Sequence, residues 1–290
     1  MRIIRILQLT LLLPVLFSFV SKANGQEIFG KAKYNYRSFA DKKTMVVVNQ
    51  HDFTDLSLAD AVKSGWKLSL YELCSQERFS KIMTDTNYFF LLRVEGKMRR
   101  EGEASLEYLT LVKGGPSAKK GIDKMYEIVS MPLQPVGDES GKAFVFMPVL
   151  INIMQDHIIN VGESILRAYV GNSFYSNRID NIGDRVLLID REDIGWSYTD
   201  EELEELFGDN LILGDAAQIA GAVKDAEEKR VVSYTVSPAG GNNRGYSYKM
   251  LIDTETHELL FFRRHRITQK SPAGFTQEDL KRISNPYRTK

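Results

Sequence analysis

Two stretches of the chain, "TMVVVNQHDF" (44–53) and "DRVLLIDRED" (184–193), share the pattern that decides the fold. Each begins with an apolar run of strand length and ends in a group of polar and acidic residues. A helix-compatible stretch follows each of them, and a second apolar run comes next, "KLSLYEL" (67–73) in the first case and "NLILG" (210–214) in the second. The chain therefore contains an internal repeat, which predicts two related modules.

The repeat continues along the chain at nearly constant spacing. Val46 and Val186 are 186 − 46 = 140 positions apart, and a later matched pair, Tyr108 and Met250, is 250 − 108 = 142 positions apart. Each copy goes on to a second helix and three further strands, which predicts two tandem β-α-β-α-β-β-β modules. Strands joined through helices should be parallel and the later hairpin strands antiparallel. The predicted fold class is α/β with α+β character and mixed sheets.

Sequence signals also mark where the second helix of each copy begins. Ser75 and Asp215 stand where an N-cap residue belongs, and Gln218 completes a capping-box pattern with Asp215. We therefore predict helices directly after these two residues.

A long amphipathic helix is predicted between the two copies. In residues 144–174 the apolar side chains recur at helical spacing, and the helix should begin near Pro148 and end near Gly171. It could pack over one or both sheets, or serve as a dimer helix or a membrane-surface helix. The mixture of acids and bases on its polar face favours packing, because membrane-surface helices favour a basic excess.

The first residues of the chain have the layout of a secretory signal peptide. A basic start precedes an apolar run at 6–20, and Ala23 and Gly25 occupy the −3 and −1 places of a cleavage site. The run of 15 residues is shorter than the roughly 20 that span a bilayer. We therefore predict a periplasmic or secreted protein, cleaved near Gly25, with no membrane span in the mature chain. The predicted divisions are a signal peptide (1–25), a first module (26–142), a connecting helix (143–174) and a second module with its C-terminal tail (175–290).

Charge and cysteine content limit the classes of function. The chain has 38 basic and 38 acidic residues, so no net charge favours binding to nucleic acid. Cys74 is the single cysteine, which excludes an intrachain disulfide; a buried free thiol is expected, with an intermolecular bridge as the alternative. The glycine-rich stretch 113–121 lacks the Gly-Lys-Ser/Thr ending of a phosphate-binding loop. No cofactor and no metal site are predicted.

Polar residues follow the first strand of each copy, where parallel α/β units place ligand sites. His51 beside Asp52 could form an acid–base pair, and Asp190, Glu192 and Asp193 could bind a cation. The competing interpretation is structural, because strand ends and helix N-caps commonly carry Asp, Asn and Glu. The candidate catalytic or ligand-binding residues of the sequence are His51, Asp52, Asp190 and Asp193.

Two hairpin loops carry arginines at their tips. Arg99 and Arg100 lie in one loop, and Arg244 lies in the corresponding loop of the second copy. These side chains could contact an anion or a partner, whereas a solvated turn is the ordinary alternative.

The stretch "LIDTETHELLFF" (251–262) is predicted to be a hairpin in which Asp253 starts the turn and His257 is exposed beyond it. This hairpin, together with the order of elements in each copy, resembles the small α/β modules of periplasmic proteins. The similar modules are those of the curli-secretion lipoprotein and of the amino-terminal domain of the Tol-system propeller protein. This chain lacks a lipidated cysteine after its leader and lacks propeller repeats. The resemblance therefore implies a periplasmic protein that presents surfaces to partners, and not a secretion pore.

The sequence favours a non-enzymatic periplasmic protein that binds a protein or a cell-envelope component, and a homodimer stays open. The alternative is a periplasmic hydrolase or small-ligand-binding protein whose site lies at the carboxyl ends of the parallel strands. The enzyme interpretation requires the two candidate pairs of residues to meet in one concave pocket.

Overall fold

The computed structural model describes residues 22–24, 39–97, 105–163, 172–239 and 245–288. Its first sheet has the strand order β3-β2-β4-β5-β6, and β1 pairs with the far end of β4. Two short 3-10 turns, Pro116–Lys120 and Ile122–Lys124, precede β6. The elements are β1 (Lys22–Asn24), β2 (Lys43–Val47), α1 (Phe53–Gly65), β3 (Tyr71–Cys74), α2 (Gln76–Ile82), β4 (Tyr88–Lys97), β5 (Leu106–Lys113) and β6 (Tyr126–Pro135).

The second module repeats this arrangement after the long helix α3. Its sheet has the order β8-β7-β9-β10-β11, which is the order of the first sheet strand for strand. In both modules the first three strands are parallel and the last two are antiparallel, as predicted. The elements are α3 (Lys142–Glu163), α4 (Asn172–Ser176), β7 (Val186–Asp190), α5 (Asp200–Phe207), β8 (Leu211–Gly214), α6 (Ala216–Lys224), β9 (Arg230–Val236), β10 (Tyr246–Asp253), β11 (Leu259–Arg266) and α7 (Gln277–Arg288).

The predicted helix starts at Ser75 and Asp215 are confirmed. The Ser75 side chain accepts a hydrogen bond from the backbone N–H of Arg78 at the start of α2. Asp215 and Gln218 form a reciprocal capping box at the start of α6. Each cap satisfies backbone donors that have no partner within the helix.

Strand register corrects two predicted equivalences between the copies. Val186 pairs with Arg230 as Lys43 pairs with Tyr88, so Val46 is equivalent to Ile189 and not to Val186. Val94 on β4 and Val236 on β9 are 142 positions apart, as expected, and they lie opposite Tyr108 and Tyr248 respectively. Tyr108 is therefore equivalent to Tyr248 and not to Met250. The hydroxyl groups of these two equivalent tyrosines lie 3.1 Å apart in the buried interior.

Helix α3 begins earlier than the sequence predicts. It starts at Lys142, so Pro148 lies inside the helix and not at its first turn. Proline in a helix interior removes one backbone hydrogen bond. Phe146 and Met147, which precede it, are buried almost completely, so packing of this first turn offsets the lost bond. The predicted end near Gly171 lies outside the described residues.

Helix α3 belongs to a core that both modules share. Residues of α3, of the first sheet and of one face of the second sheet form one hydrophobic cluster. On β7, Leu188 faces this cluster, whereas Leu187 and Ile189 face a second cluster that includes residues of α5 and α7. By length and hydropathy α3 resembles a membrane span, but 61% of its most apolar window is buried inside the protein. Packing over both sheets is therefore the observed role of this helix.

Polar side chains on α3 also join the modules. Gln155 donates to the Gly65 carbonyl at 2.9 Å and accepts from the Lys67 N–H at 2.7 Å, both in the first module. One turn away, the Asn152 amide lies 2.6 Å from Nδ1 of His257 in the second module. His257 is half-buried by this contact, so its predicted exposure is wrong.

Candidate functional site: a cleft at the carboxyl ends of β2 and β3

A cleft of about 1200 Å³ opens where β2 and β3 end. The loops that follow these two parallel strands form its walls, which is the position where open α/β sheets bind ligands. Its lining combines apolar and acidic side chains. The apolar part includes Val48, Leu56, Ala59 and Leu73, and the carboxylates are Asp52, Asp55, Glu77, Glu95 and Glu107.

Arg93, on β4, organises the acidic side of the cleft. Its Nε donates to Oδ1 of Asp55 at 3.0 Å, and its Nη1 donates to both carboxylate oxygens of Glu107 at 2.9 Å. Its Nη2 donates to Asp52. Gln134 on β6 donates to Glu107 at 2.9 Å, so the network extends across three strands. One guanidinium thus holds three carboxylates in fixed positions.

The electrostatics of the cleft are set by burial and by this one cation. Burial raises the pKa of Asp55 above its usual value, although Arg93 acts in the opposite direction. Burial alone would lower the pKa of Arg93, but Glu107 and Asp55 outweigh burial and raise it. Five carboxylates line the cleft against one guanidinium, so the cleft is acidic.

Glu95 is the carboxylate that this network leaves out. It lies directly opposite Glu107 in the register of β4 and β5, an arrangement of like charges that is unfavourable. Glu95 is half-buried, and no cation whose side chain the structure describes forms an ion pair with it. Among the described side chains, the negative charge of Glu95 at the cleft therefore has no ion-pair partner.

The structure places His51 and Asp52 at the cleft but gives them different roles. Asp52 is the N-cap of α1 and accepts from the backbone N–H groups of Thr54 and Asp55 at 2.9 and 3.0 Å. Its other oxygen accepts from Arg93. The His51 ring is exposed and forms no hydrogen bond with any described residue. In this geometry Asp52 does not orient His51 as an acid–base pair requires.

Asp190 and Asp193 lie at the matching edge of the second sheet, and both are buried. Asp193 accepts from Ser233 at 2.7 Å and from Lys142 at 3.2 Å, and Thr235 also donates to it. Burial raises the pKa of Asp190, which caps a 3-10 turn. Neither aspartate lines the cleft that His51 and Asp52 line. Among the residues that the structure describes, no three His, Cys, Asp or Glu side chains are grouped as for a metal ion.

The remaining candidate residues are the arginines of the two hairpin loops and the aspartate of the last turn. Arg99, Arg100 and Arg244 lie outside the described residues. Asp253 starts its turn as predicted: its Oδ1 accepts from the N–H groups of Glu255 and Thr256 at 3.1 and 2.7 Å.

Sequence reasoning missed the residues at the centre of the site. Arg93 stands alone in the apolar run "YFFLLRV", and Glu107 stands alone in "SLEYLTLV". A single charge in a buried strand needs a partner, and this signal could have drawn attention to both residues. Cys74 is a buried free thiol, as expected; it lines the cleft, and burial raises its pKa to about 11.

Comparison with known proteins adds no information about function, so the proposal for this chain rests on the geometry of the cleft. No family model matches it, and no curated protein or solved structure matches it either.

Proposed function

We propose that this chain is a non-enzymatic, exported binding protein that holds a protein or cell-envelope partner in the cleft at the carboxyl ends of β2 and β3. The observation that carries the proposal is the cleft itself, which combines an apolar wall with an excess of negative charge. Apolar contact area with a few fixed polar groups is the usual composition of a binding site.

The chemistry of the side chains favours binding over catalysis. Asp52, Asp55 and Glu107 are held by Arg93, and Asp52 is also held by the start of α1. Carboxylates held in fixed ion pairs position a surface for binding. The cleft therefore resembles a preorganised recognition surface.

The experiment is photo-crosslinking in intact cells. Benzoylphenylalanine at position 56 replaces Leu56, which is 39% exposed in the cleft, and the control replaces Ile212, which is 41% exposed on the edge strand β8. We expect a discrete adduct from position 56 that position 212 does not give. The same adducts from both positions, or none from position 56, would contradict the proposal.

A second candidate is a periplasmic hydrolase or small-ligand-binding protein that uses the same cleft. His51 and Asp52 on its lining favour the small-ligand form of this candidate, whereas Asp190 and Asp193 do not line the cleft, so the requirement set for the enzyme interpretation is not met. Native mass spectrometry of the purified protein would then show a retained small molecule. The substitution Ala59→Trp, which places a large ring in the cleft, would remove that molecule without unfolding the protein, as checked by circular dichroism.

A further inference from the structure

One side of β4 is only partly covered along its length. On this side β2 pairs with residues 88–91, and β1 pairs with residues 95–97. On the other side β5 pairs along residues 89–96. The edge that β1 covers begins at Glu95, which lines the cleft. Whatever segment pairs with this edge therefore lies at the mouth of the cleft.

The strand register places a lysine opposite Glu95. In the parallel pairing of β1 with β4, Lys22 stands opposite Glu95 and Ala23 stands opposite Gly96. Residues that stand opposite each other in a sheet share one face. A basic residue at this register position is the charge complement of Glu95, which stands opposite Glu107 across β4 and β5.

The strand β1 lies within the segment that the sequence predicts to be removed on export. Residues 22–24 precede the cleavage site near Gly25. Cleavage there leaves the backbone N–H and C=O groups of β4 at 95–97 without their partner strand. An open sheet edge of this kind pairs readily with another extended chain.

We propose that the mature protein binds, at the edge of β4 beside the cleft, an extended segment of a partner protein that carries a lysine or arginine opposite Glu95. In the unprocessed chain β1 occupies this place and blocks it. The proposal rests on the proposed function and on the predicted cleavage. A small cation satisfies the charge at Glu95 but not the backbone groups of β4, which is why the occupant is a polypeptide.

The test uses the labelled peptide FVSKANGQ, the sequence of residues 19–26, and measures its fluorescence anisotropy with two forms of the protein. One form begins at Gln26, and the other begins at Phe19 and so retains β1 but not the apolar run. We expect the form beginning at Gln26 to bind the peptide. The form with β1 should bind at least about ten-fold more weakly, because β1 competes from within the chain.

A charge exchange gives a second readout. A peptide with Lys22→Glu should bind the form beginning at Gln26 about ten-fold more weakly. The protein variant Glu95→Lys should reverse this preference, whereas Glu204→Lys on the exposed surface of α5 should leave it unchanged. If Glu95→Lys fails to fold, Glu95→Gln replaces it, because this substitution changes the side-chain volume little. Glu95→Gln should reduce the difference in affinity between the original peptide and the Lys22→Glu peptide.

Three results would overturn the proposal: equal binding by both forms of the protein, no effect of the charge exchange, or an exported protein whose first residue lies before Lys22. Crosslinking at position 56 distinguishes failure of this inference from failure of the proposed function. Adducts at position 56 without peptide binding would leave the proposed function standing and remove this inference, whereas loss of the adducts would remove the function itself.

Discussion

At the scale of single residues, the interior depends on a few buried polar pairs whose members are far apart in sequence. Asp52 could be assigned as an N-cap from its sequence position alone, because capping is local. Arg93 could not be matched to Asp55 or Glu107 in the same way, because 38 and 14 residues separate these partners and only the folded sheet brings them together. The local half of the candidate site was therefore predictable, and its central ion-pair network was not.

The contact between the equivalent tyrosines gives the first prediction. Tyr108→Phe and Tyr248→Phe each remove one member of the buried hydroxyl pair without changing the ring. We expect the double variant to lose less stability than the two single variants together, with a coupling free energy of roughly 0.5–1.5 kcal/mol. Urea unfolding of all four proteins measures this coupling. Additive losses would show that the two hydroxyl groups do not interact.

His157 gives a prediction about acid. Burial lowers the pKa of His157 to about 4 from an ordinary value of 6.5. The unfolded chain therefore takes up this proton at a higher pH than the folded chain, so stability present above pH 6.5 is lost as the pH falls towards 4. The full loss is on the order of 3 kcal/mol. His157→Gln should reduce the loss in urea unfolding between pH 7 and pH 4.5, and His51→Gln, at an exposed site, should not. Equal pH dependence in wild type and His157→Gln would contradict the assignment.

At the scale of elements, strand and helix types followed from periodicity, whereas the boundary of α3 did not. The rule that places proline at the first turn of a helix is statistical, and burial of the turn before Pro148 was the larger effect here. The tertiary contacts that favour this earlier turn are not visible in a local pattern. The same applies to His257, whose partner Asn152 lies 105 residues away.

The C-terminal helix α7 is held by a buried charge pair. Lys249 on β10 donates to Asp279 on α7 at 2.5 Å, and both side chains are almost fully buried. Nδ1 of His265 lies 2.8 Å from the Lys249 ammonium, and Arg263 donates to the other oxygen of Asp279 at 3.0 Å. Burial acts to raise the pKa of Asp279, but Lys249 and the hydrogen bonds from Thr276 outweigh it and hold the pKa below its usual value. Burial lowers the pKa of Lys249, although Asp279 acts in the opposite direction, so the docking of α7 rests on the hydrogen-bonded contact between these two side chains.

Replacement of Lys249 tests this dependence. Lys249→Met leaves Asp279 buried without its main cation, and we expect a loss of about 3–5 kcal/mol in the free energy of unfolding. The matched control is Lys229→Met, which breaks an exposed ion pair with Asp184 and should have little effect. Urea unfolding compares the two variants. A loss no larger than that of the control would show that the buried pair does not hold α7.

At the scale of the whole molecule, the two modules share one core. The predicted connecting helix at residues 143–174 contains most of α3, which lies inside the hydrophobic cluster to which both sheets contribute. The repeat could be predicted from the sequence because both copies keep the same order of helices and strands. The way the copies pack was not readable, because it depends on which face of each sheet is buried against α3.

Cooperative unfolding is the consequence to test. The chain has two tryptophans, Trp66 after α1 and Trp196 after β7, so each module carries one reporter. We expect Trp66→Phe and Trp196→Phe, each with a single remaining tryptophan, to show a fluorescence transition that coincides with the loss of circular dichroism in the same protein. Separate midpoints for fluorescence and circular dichroism would show that the modules unfold independently.

The meeting of Tyr108 with Tyr248 has a further consequence for symmetry. Because the two residues are equivalent, their contact joins the same position of each module. A surface that meets its own equivalent within one chain fits the same surface in a second chain. A protein whose modules come apart can therefore reassemble by exchanging them between two chains, and the resulting domain-swapped dimer would keep every tyrosine contact of the monomer.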